Sequence, residues 1–200
     1  MNEKFFDLKK EKQDRMINAA LKVFALNGYS HASTDDIVAE AGISKGLLFH
    51  YFTSKLGLYT FLYDYSVRFM TLELSGCTVG GEDDFFALVQ RIENAKLQIL
   101  KNYPYMQLFI DSVRQEGAPE AVSATEEKRD ALAGVREAIL ERADLSRFRP
   151  EADPDKLSRM IEYILQGVMA ENFRSGSFQP HRMYEEIGGY LLMLKRLAYK

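Results

Sequence analysis

Cysteine is nearly missing from this chain: Cys77 stands alone among 200 residues, so no disulfide can form within it. Long apolar runs are missing too, and nothing approaches the roughly 20 residues that cross a bilayer. The opening stretch MNEKFFDLKKEKQDR mixes both charge signs and does not read as a signal peptide. A soluble protein of the reducing cytoplasm, without a membrane partner, is expected. Histidine is scarce: His31, His50 and His181 are not placed to bind a metal with Cys77. There is no glycine-rich phosphate loop and no Ser-His-Asp order worth defending. No catalytic residue, metal or other cofactor is expected, and the chain does not read as an enzyme. Strand signals are absent as well. Val, Ile and Thr are not gathered into alternating runs, and no Asn-Gly or Asp-Gly hairpin occurs.

What remains is helical. Hydrophobic residues make up 46% of the chain, enough for a real core. The length suits one large domain or two small ones. Met16, Ala20, Val23 and Phe24 form one stripe of a first helix from Lys9 to Asn27, with Gly28 just past its end. Ser33 or Thr34 can cap a short second helix ending at Ala41-Gly42, and a third starts at Ser44. A fourth, rich in aromatics, runs from about Ser54 through Phe69, and Ser75–Gly81 breaks the pattern. A fifth opens at Asp83 or Asp84 and reaches Asn102; a sixth runs from Pro104 to near Gly117. A seventh runs from Pro119 to about Ala143, followed by a linker over Asp144–Asp153. An eighth begins at Asp153-Pro154 and ends at Gly176, and a ninth runs from Pro180 to Ala198. The expected fold is all-α with about nine helices.

Charge is distributed unevenly. The net charge is −3, yet Ala41 to Tyr63 contains no acid while Lys45, His50 and Lys55 lie there. A small basic patch on an acidic protein suits a local phosphate contact. Two short helices joined by a glycine turn in that stretch suggest a helix-turn-helix. Ile37, Ala41, Ile43 and Leu48 can face inward, and Gly42 suits a turn needing positive φ. Ser44, Lys45, Leu47, His50 and Tyr51 are then expected to point outward from the third helix, whose first turn fits a major groove.

At this point the pattern resembles the TetR family of bacterial regulators. The matching residues are Ser33-Thr34-Asp35-Asp36-Ile37, then Ala41-Gly42-Ile43-Ser44-Lys45-Gly46-Leu47-Leu48-Phe49-His50-Tyr51-Phe52-Thr53-Ser54-Lys55, preceded by Phe24 and Gly28-Tyr29. They cover about a quarter of the chain. The resemblance implies that Thr34 contacts a phosphate. It places Ser44, Lys45 and Gly46 at the opening of a recognition helix, and Leu47 and His50 on its groove face. Tyr51 is then similar to a phosphate-binding aromatic and Lys55 to a backbone-clamping lysine. Three residues depart from the usual pattern. Val38 replaces a small residue, Leu47 donates no hydrogen bond, and Phe49 lacks a hydroxyl.

The family resemblance also implies a division at residue 53. Residues 1–53 would form a DNA-binding three-helix bundle and residues 54–200 a larger helical domain for ligand sensing and dimerisation. Independently, the eighth and ninth helices carry wide apolar stripes, and Gly167, Gly188 and Gly189 allow close approach, as a homodimeric four-helix bundle needs. Phe61, Tyr65, Phe69, Phe86, Met106, Phe109, Tyr163 and Met169 are candidate lining for an apolar or aromatic small ligand, or equally solid core. The expected function is a sequence-specific transcription regulator, a ligand-released repressor on a palindromic double-stranded operator. The rival reading is a helical ligand-binding or protein-interaction dimer with a vestigial DNA-binding head.

Overall fold

A computed structural model of the chain describes residues 3–128, 131–174 and 179–200. Among the described residues are ten α-helices: α1 (Lys10–His31), α2 (Thr34–Ala41), α3 (Lys45–Phe52), α4 (Lys55–Ser75), α5 (Phe85–Asn102), α6 (Met106–Arg114), α7 (Pro119–Thr125), α8 (Ala131–Leu140), α9 (Pro154–Arg174) and α10 (Pro180–Ala198). Side-chain caps start several of them, as Ser, Asp and Asn do when they satisfy free N–H groups of a first turn. Ser33 and Ser44 cap α2 and α3. Asp84 accepts the Ala87 N–H at 2.9 Å at the head of α5. Asp153 accepts the N–H groups of Asp155 and Lys156 at 3.1 and 3.0 Å, ahead of Pro154 in α9.

Two expectations about the elements change. The seventh helix is broken: α7 ends at Thr125, a 3-10 turn covers Glu126–Lys128, and α8 begins at Ala131. Thr125 Oγ1 turns back to the Ala121 carbonyl at 2.9 Å, a local bond that competes with helical continuation. The segment Asp144–Asp153 is not a bare linker either. Leu145–Arg147 forms a 3-10 turn, and Phe148 is buried against Tyr199 with ring centroids 4.9 Å apart. The Arg149 N–H bonds to the Ala198 carbonyl at 2.9 Å and the Lys200 N–H to Arg147 at 3.1 Å, stitching this segment to the chain end. The break expected at Gly176 lies outside the described residues.

The chain forms two compact units, Met1–Leu72 with Ile99–Leu132 and Glu73–Gln98 with Ala133–Lys200. The first unit contains α1–α3 and the N-terminal part of α4, with α6 packed along α1. Its centre is aromatic. Phe24, Tyr59 and Phe109 are all buried, with Tyr59 set edge-on to Phe24 and Phe109 at 5.0 and 5.4 Å. The expected boundary at residue 53 therefore falls inside a packed unit, because Phe24 of α1 shares its core with Tyr59 of α4 and Phe109 of α6.

In the second unit α9 packs on α10. Leu157, Ile161, Val168 and Met169 are buried, as are Met183, Ile187, Leu191 and Leu194. Each helix also carries apolar side chains that are exposed: Met160 and Tyr163 on α9, and Tyr190, Leu192, Met193 and Leu197 on α10. Asp84 anchors the unit's polar edge. Its carboxylate takes Lys195 at 2.8 Å and Arg147 at 3.3 Å. Burial works against that charge, but the Lys195 hydrogen bond, the Ala87 N–H and the two cations outweigh it and hold the carboxyl below its ordinary range.

A candidate nucleic-acid interface

The helix-turn-helix is built by three local devices. Ser33 Oγ accepts the Asp35 N–H at 3.1 Å, and Asp35 and Asp36 lie at the positive start of α2. Gly42 ends α2 at φ 63° and ψ 43°, where the N–H groups of Gly42 and Ile43 reach the carbonyls of Ala39 and Val38. A side chain there would meet open space, so the left-handed backbone, not crowding, calls for glycine. Ser44 Oγ then accepts the Leu47 N–H at 3.2 Å and starts α3. Ile37 and Ala41 of α2 and Leu48 and Phe52 of α3 are buried, while Ile43 is half-buried.

The opening turn of α3 is bare. Ser44, Lys45, Gly46 and His50 are exposed, and Leu47, Thr34 and Lys55 are half-buried. Lys45 does not stand free: its Nζ pairs with both carboxylate oxygens of Asp35 at 2.9 and 3.1 Å. Lys55 Nζ lies 4.6 Å from the centre of the Tyr29 ring and donates to the Ser30 carbonyl at 3.3 Å.

Tyr51 departs from expectation. It does not point freely outward; it is only 7% exposed. The cause is Phe5, which ends a 3-10 turn over Glu3–Phe5 and is fully buried. Phe5 packs against Tyr51, Phe52 and Phe61 with centroids at 5.7, 5.1 and 5.5 Å. The N-terminal segment is thus a wedge between α3 and α4. The only sequence signal for it was an apolar pair, Phe5-Phe6, in an otherwise charged stretch.

Between α3 and α4 the backbone reverses in three residues. The Ser54 N–H donates to the Phe52 carbonyl at 2.7 Å, and Thr53 sits at φ 65° and ψ −44°. This is a γ-turn of the strained positive-φ kind. Thr53 is the one non-glycine residue with positive φ among those described. Such geometry costs on the order of 1–3 kcal/mol and persists only where surroundings impose it. Ser54 Oγ accepts the Gly57 N–H at 3.0 Å and caps α4. Gly57 is crowded: a Cβ there would lie 2.3 Å from the Phe52 carbonyl oxygen.

Behind Lys55, Tyr29 is held at both ends. Its N–H donates to Glu116 Oε2 at 2.7 Å and its hydroxyl to Glu120 Oε1 at 2.6 Å. Glu116 Oε1 also accepts the N–H groups of Gly117 and Ala118 at 3.0 and 2.9 Å. Burial raises the Glu116 pKa, but these backbone donors outweigh it and keep the carboxyl below its ordinary range. Burial, with Glu120 beside it, pushes the Tyr29 hydroxyl up to about 12. Neither glutamate carried a signal in the sequence, since both lie more than 80 residues from Tyr29.

The eight ligand candidates do not behave as one set. Phe61, Tyr65 and Phe69 line an open groove of about 860 Å³ with Phe6, Leu56 and Leu72. Met106 and Phe109 belong to the same unit but are fully buried core. Phe86, Tyr163 and Met169 belong to the other unit. There Phe86 packs on Phe148 and Tyr199, Met169 is buried, and Tyr163 is 71% exposed. Close packing explains the core members: an aromatic at helical spacing fills a core whenever facing helices supply partners. Among the described residues no group of His, Cys, Asp and Glu is placed to hold a metal ion, and no helix is long and apolar enough to cross a membrane.

Residues 16–60 match the family described as bacterial regulatory proteins, tetR family. Among curated proteins, the chain is 38% identical over 72 residues to the uncharacterized HTH-type transcriptional regulator YuxN of Bacillus subtilis, covering 34% of this chain and 25% of that one. It is 43% identical over 49 residues to the HTH-type transcriptional activator FasR of Mycolicibacterium smegmatis, covering 24% and 22%. The chain thus spans about a quarter of the length of these curated relatives. Among solved structures, a TetR family transcriptional regulator from Chloroflexus aurantiacus aligns over 100% of this chain and 98% of its own, with a TM-score of 0.68 at 22% identity. That likeness extends the shared fold beyond the N-terminal match.

Proposed function

We propose that this chain, whose residues 16–60 match the tetR family of bacterial regulatory proteins, belongs to that family and is a non-enzymatic, sequence-specific transcription regulator that binds a palindromic operator as a homodimer. One observation carries the reading. The exposed first turn of α3, Ser44-Lys45-Gly46, lies in a stretch from Ala41 to Tyr63 that has no acid and carries Lys45, His50 and Lys55. A helix N-terminus flanked by cations suits phosphate, and a glycine lets the backbone come close to DNA. Thr34, Tyr51 and Lys55 take the phosphate side. Lys45, Leu47 and His50 take the base edges, Leu47 through a thymine methyl. Tyr51, only 7% exposed, offers a phosphate little surface.

Dimerisation follows from the same requirement. One short helix touches too few base pairs for specificity, and a two-fold pair reads two half-sites about 34–36 Å apart. The exposed apolar side chains of α9 and α10, Met160, Tyr163, Tyr190, Met193 and Leu197, are the surface this pairing would bury. The regulator acts on DNA in the cytoplasm. It acts by repression, with a small apolar or aromatic ligand as the releasing signal. The groove along Phe61, Tyr65 and Phe69 is of small-molecule size, about 860 Å³. Ligand releases DNA only if it prefers a conformation whose two recognition helices are wrongly spaced.

Selection of bound fragments from random DNA with the purified protein tests the reading. A palindromic consensus supports it. Absent or salt-insensitive binding favours the protein-interaction dimer with a vestigial head instead. For the ligand, a thermal-shift screen in which only highly charged compounds stabilise the protein removes the groove from consideration.

A further inference from the structure

Lys55 is not positioned by its own helix alone. Its ammonium rests on the Tyr29 ring at 4.6 Å and spends one donor on the Ser30 carbonyl. An ammonium has three donors, so two remain for a phosphate. The seat itself is fixed from elsewhere in the same compact unit. Tyr29 stacks near Phe24 and meets Tyr59 edge-on at 5.0 Å, which holds the ring plane. Its backbone and hydroxyl are gripped by Glu116 and Glu120 at 2.7 and 2.6 Å. Glu116 belongs to the connection between α6 and α7, and Glu120 to the first turn of α7. A hydroxyl donating to a carboxylate enriches the ring in electron density, which strengthens its hold on a cation.

We infer that Glu116 and Glu120 are positioning residues for DNA binding: through Tyr29 they seat Lys55 for its phosphate, giving the α6–α7 turn a direct hold on operator affinity. This rests on the proposed reading of Lys55 as a phosphate contact. The expected effect is opposite in sign to that of bulk electrostatics. Removing an acid near a phosphate-binding surface should tighten DNA binding. Neutralising Glu116 or Glu120 loosens it here, because the charged anchors that hold the seat of Lys55 are weakened.

The test uses the full chain with its selected operator and four variants: Glu116→Gln, Glu120→Gln, Lys55→Ala and Glu116→Gln with Lys55→Ala. Glu127→Gln, an exposed acid in the 3-10 turn after α7, is the control for bulk charge. Affinity is read across a salt series, with circular dichroism confirming folding. Glu120→Gln keeps an acceptor for the Tyr29 hydroxyl but removes the charge that enriches the ring, so it isolates the carboxylate's part in the seat and stays informative if Glu116→Gln folds poorly. Lys55→Ala is expected to lower the salt slope by about one. Glu116→Gln and Glu120→Gln are expected to weaken binding roughly two- to fivefold, the worth of one exposed cation–π seat, with the slope unchanged. In the Lys55→Ala background Glu116→Gln should add nothing.

Tighter or unchanged binding in both glutamine variants overturns the inference while leaving the phosphate role of Lys55 intact. So does an effect of Glu116→Gln that simply adds to that of Lys55→Ala. If Lys55→Ala itself changes neither affinity nor slope, the phosphate contact fails, and the inference fails with it.

Discussion

Replacing Gly57 by alanine adds one methyl group at the most crowded point of the α3–α4 turn. The new Cβ would lie 2.3 Å from the Phe52 carbonyl oxygen, where ordinary contact begins near 3.4 Å. Something must move by about 1 Å, and the atom in the way is backbone. That oxygen is also the acceptor for the Ser54 N–H at 2.7 Å, so moving it loosens the turn. Overpacking of this kind typically costs about 1–3 kcal/mol, and the turn hydrogen bond is worth about 0.5–1.5 kcal/mol. A loss of roughly 3 kcal/mol lowers the melting midpoint of a chain this long by about 6–12 °C. Gly42→Ala makes the comparison sharp. There a Cβ meets nothing, and the cost comes from φ 63° alone, about 1–2 kcal/mol for an L side chain. Both variants should be melted at one protein concentration, because a dimer's midpoint depends on it. Gly57→Ala should also lose operator affinity, since Phe52 ends the recognition helix, whereas Gly42→Ala should lose less. Equal midpoints for Gly57→Ala and the parent protein would show that the turn yields freely and that this reasoning is mistaken.

Phe5→Ala removes the wedge beneath Tyr51 and Phe52 and should lower both the melting midpoint and operator affinity, because a fully buried ring that packs on α3 is lost; a drop in midpoint with affinity intact would contradict the link to α3. If the proposed dimer forms through α9 and α10, Met193→Glu with Leu197→Glu should convert it to monomers in sedimentation equilibrium, since exposed apolar side chains of α10 would then carry charge; a dimer that persists places the interface elsewhere. Asp84→Asn bears on acid sensitivity. The folded carboxyl titrates below its ordinary range, so its stabilising contribution is present above the unfolded value, about 3.9, and is lost as pH falls through the lower folded value. Urea midpoints measured from pH 6 downward should fall less steeply for the variant than for the parent, and parallel slopes would refute the assignment.

Much of this protein was legible because its signals are local. Ser33, Gly42 and Ser44 each act on backbone groups within a few residues, so spacing places the turn at Gly42 and the start of α3 at Ser44, and narrows the α2 cap to Ser33 or Thr34. The same holds for Asp153-Pro154 at the head of α9. Tyr51 was misread for the opposite reason. Helical periodicity gives it an outward direction, but Phe5, 46 residues earlier, covers it. The pairing of Lys45 with Asp35 crosses from one helix to the next, and Glu116 and Glu120 meet Tyr29 only through the tertiary fold. The aromatic candidates divided for a related reason. Spacing on one helix marks which residues share a face, not whether another helix fills the space opposite. Phe109 met α1 and α4 and became core; Phe61 and Tyr65 kept a groove beside them.

The Lys45–Asp35 pair has a consequence for how this protein would search a genome. A lysine that already carries a protein counterion adds less to indiscriminate attraction for DNA, which depends on unpaired cations displacing ions from the phosphates. The pair is exposed and worth at most about 1 kcal/mol, so a correctly placed operator contact can break it. Random sequence, offering no compensating contact, gains little by doing so. Asp35→Asn should therefore strengthen binding to unrelated DNA more than binding to the operator, narrowing the ratio between them. Against roughly 10⁶–10⁹ competing sites, that ratio decides where the protein spends its time. One acid in the first turn of α2 would thus shorten the protein's stay on every sequence that is not its target.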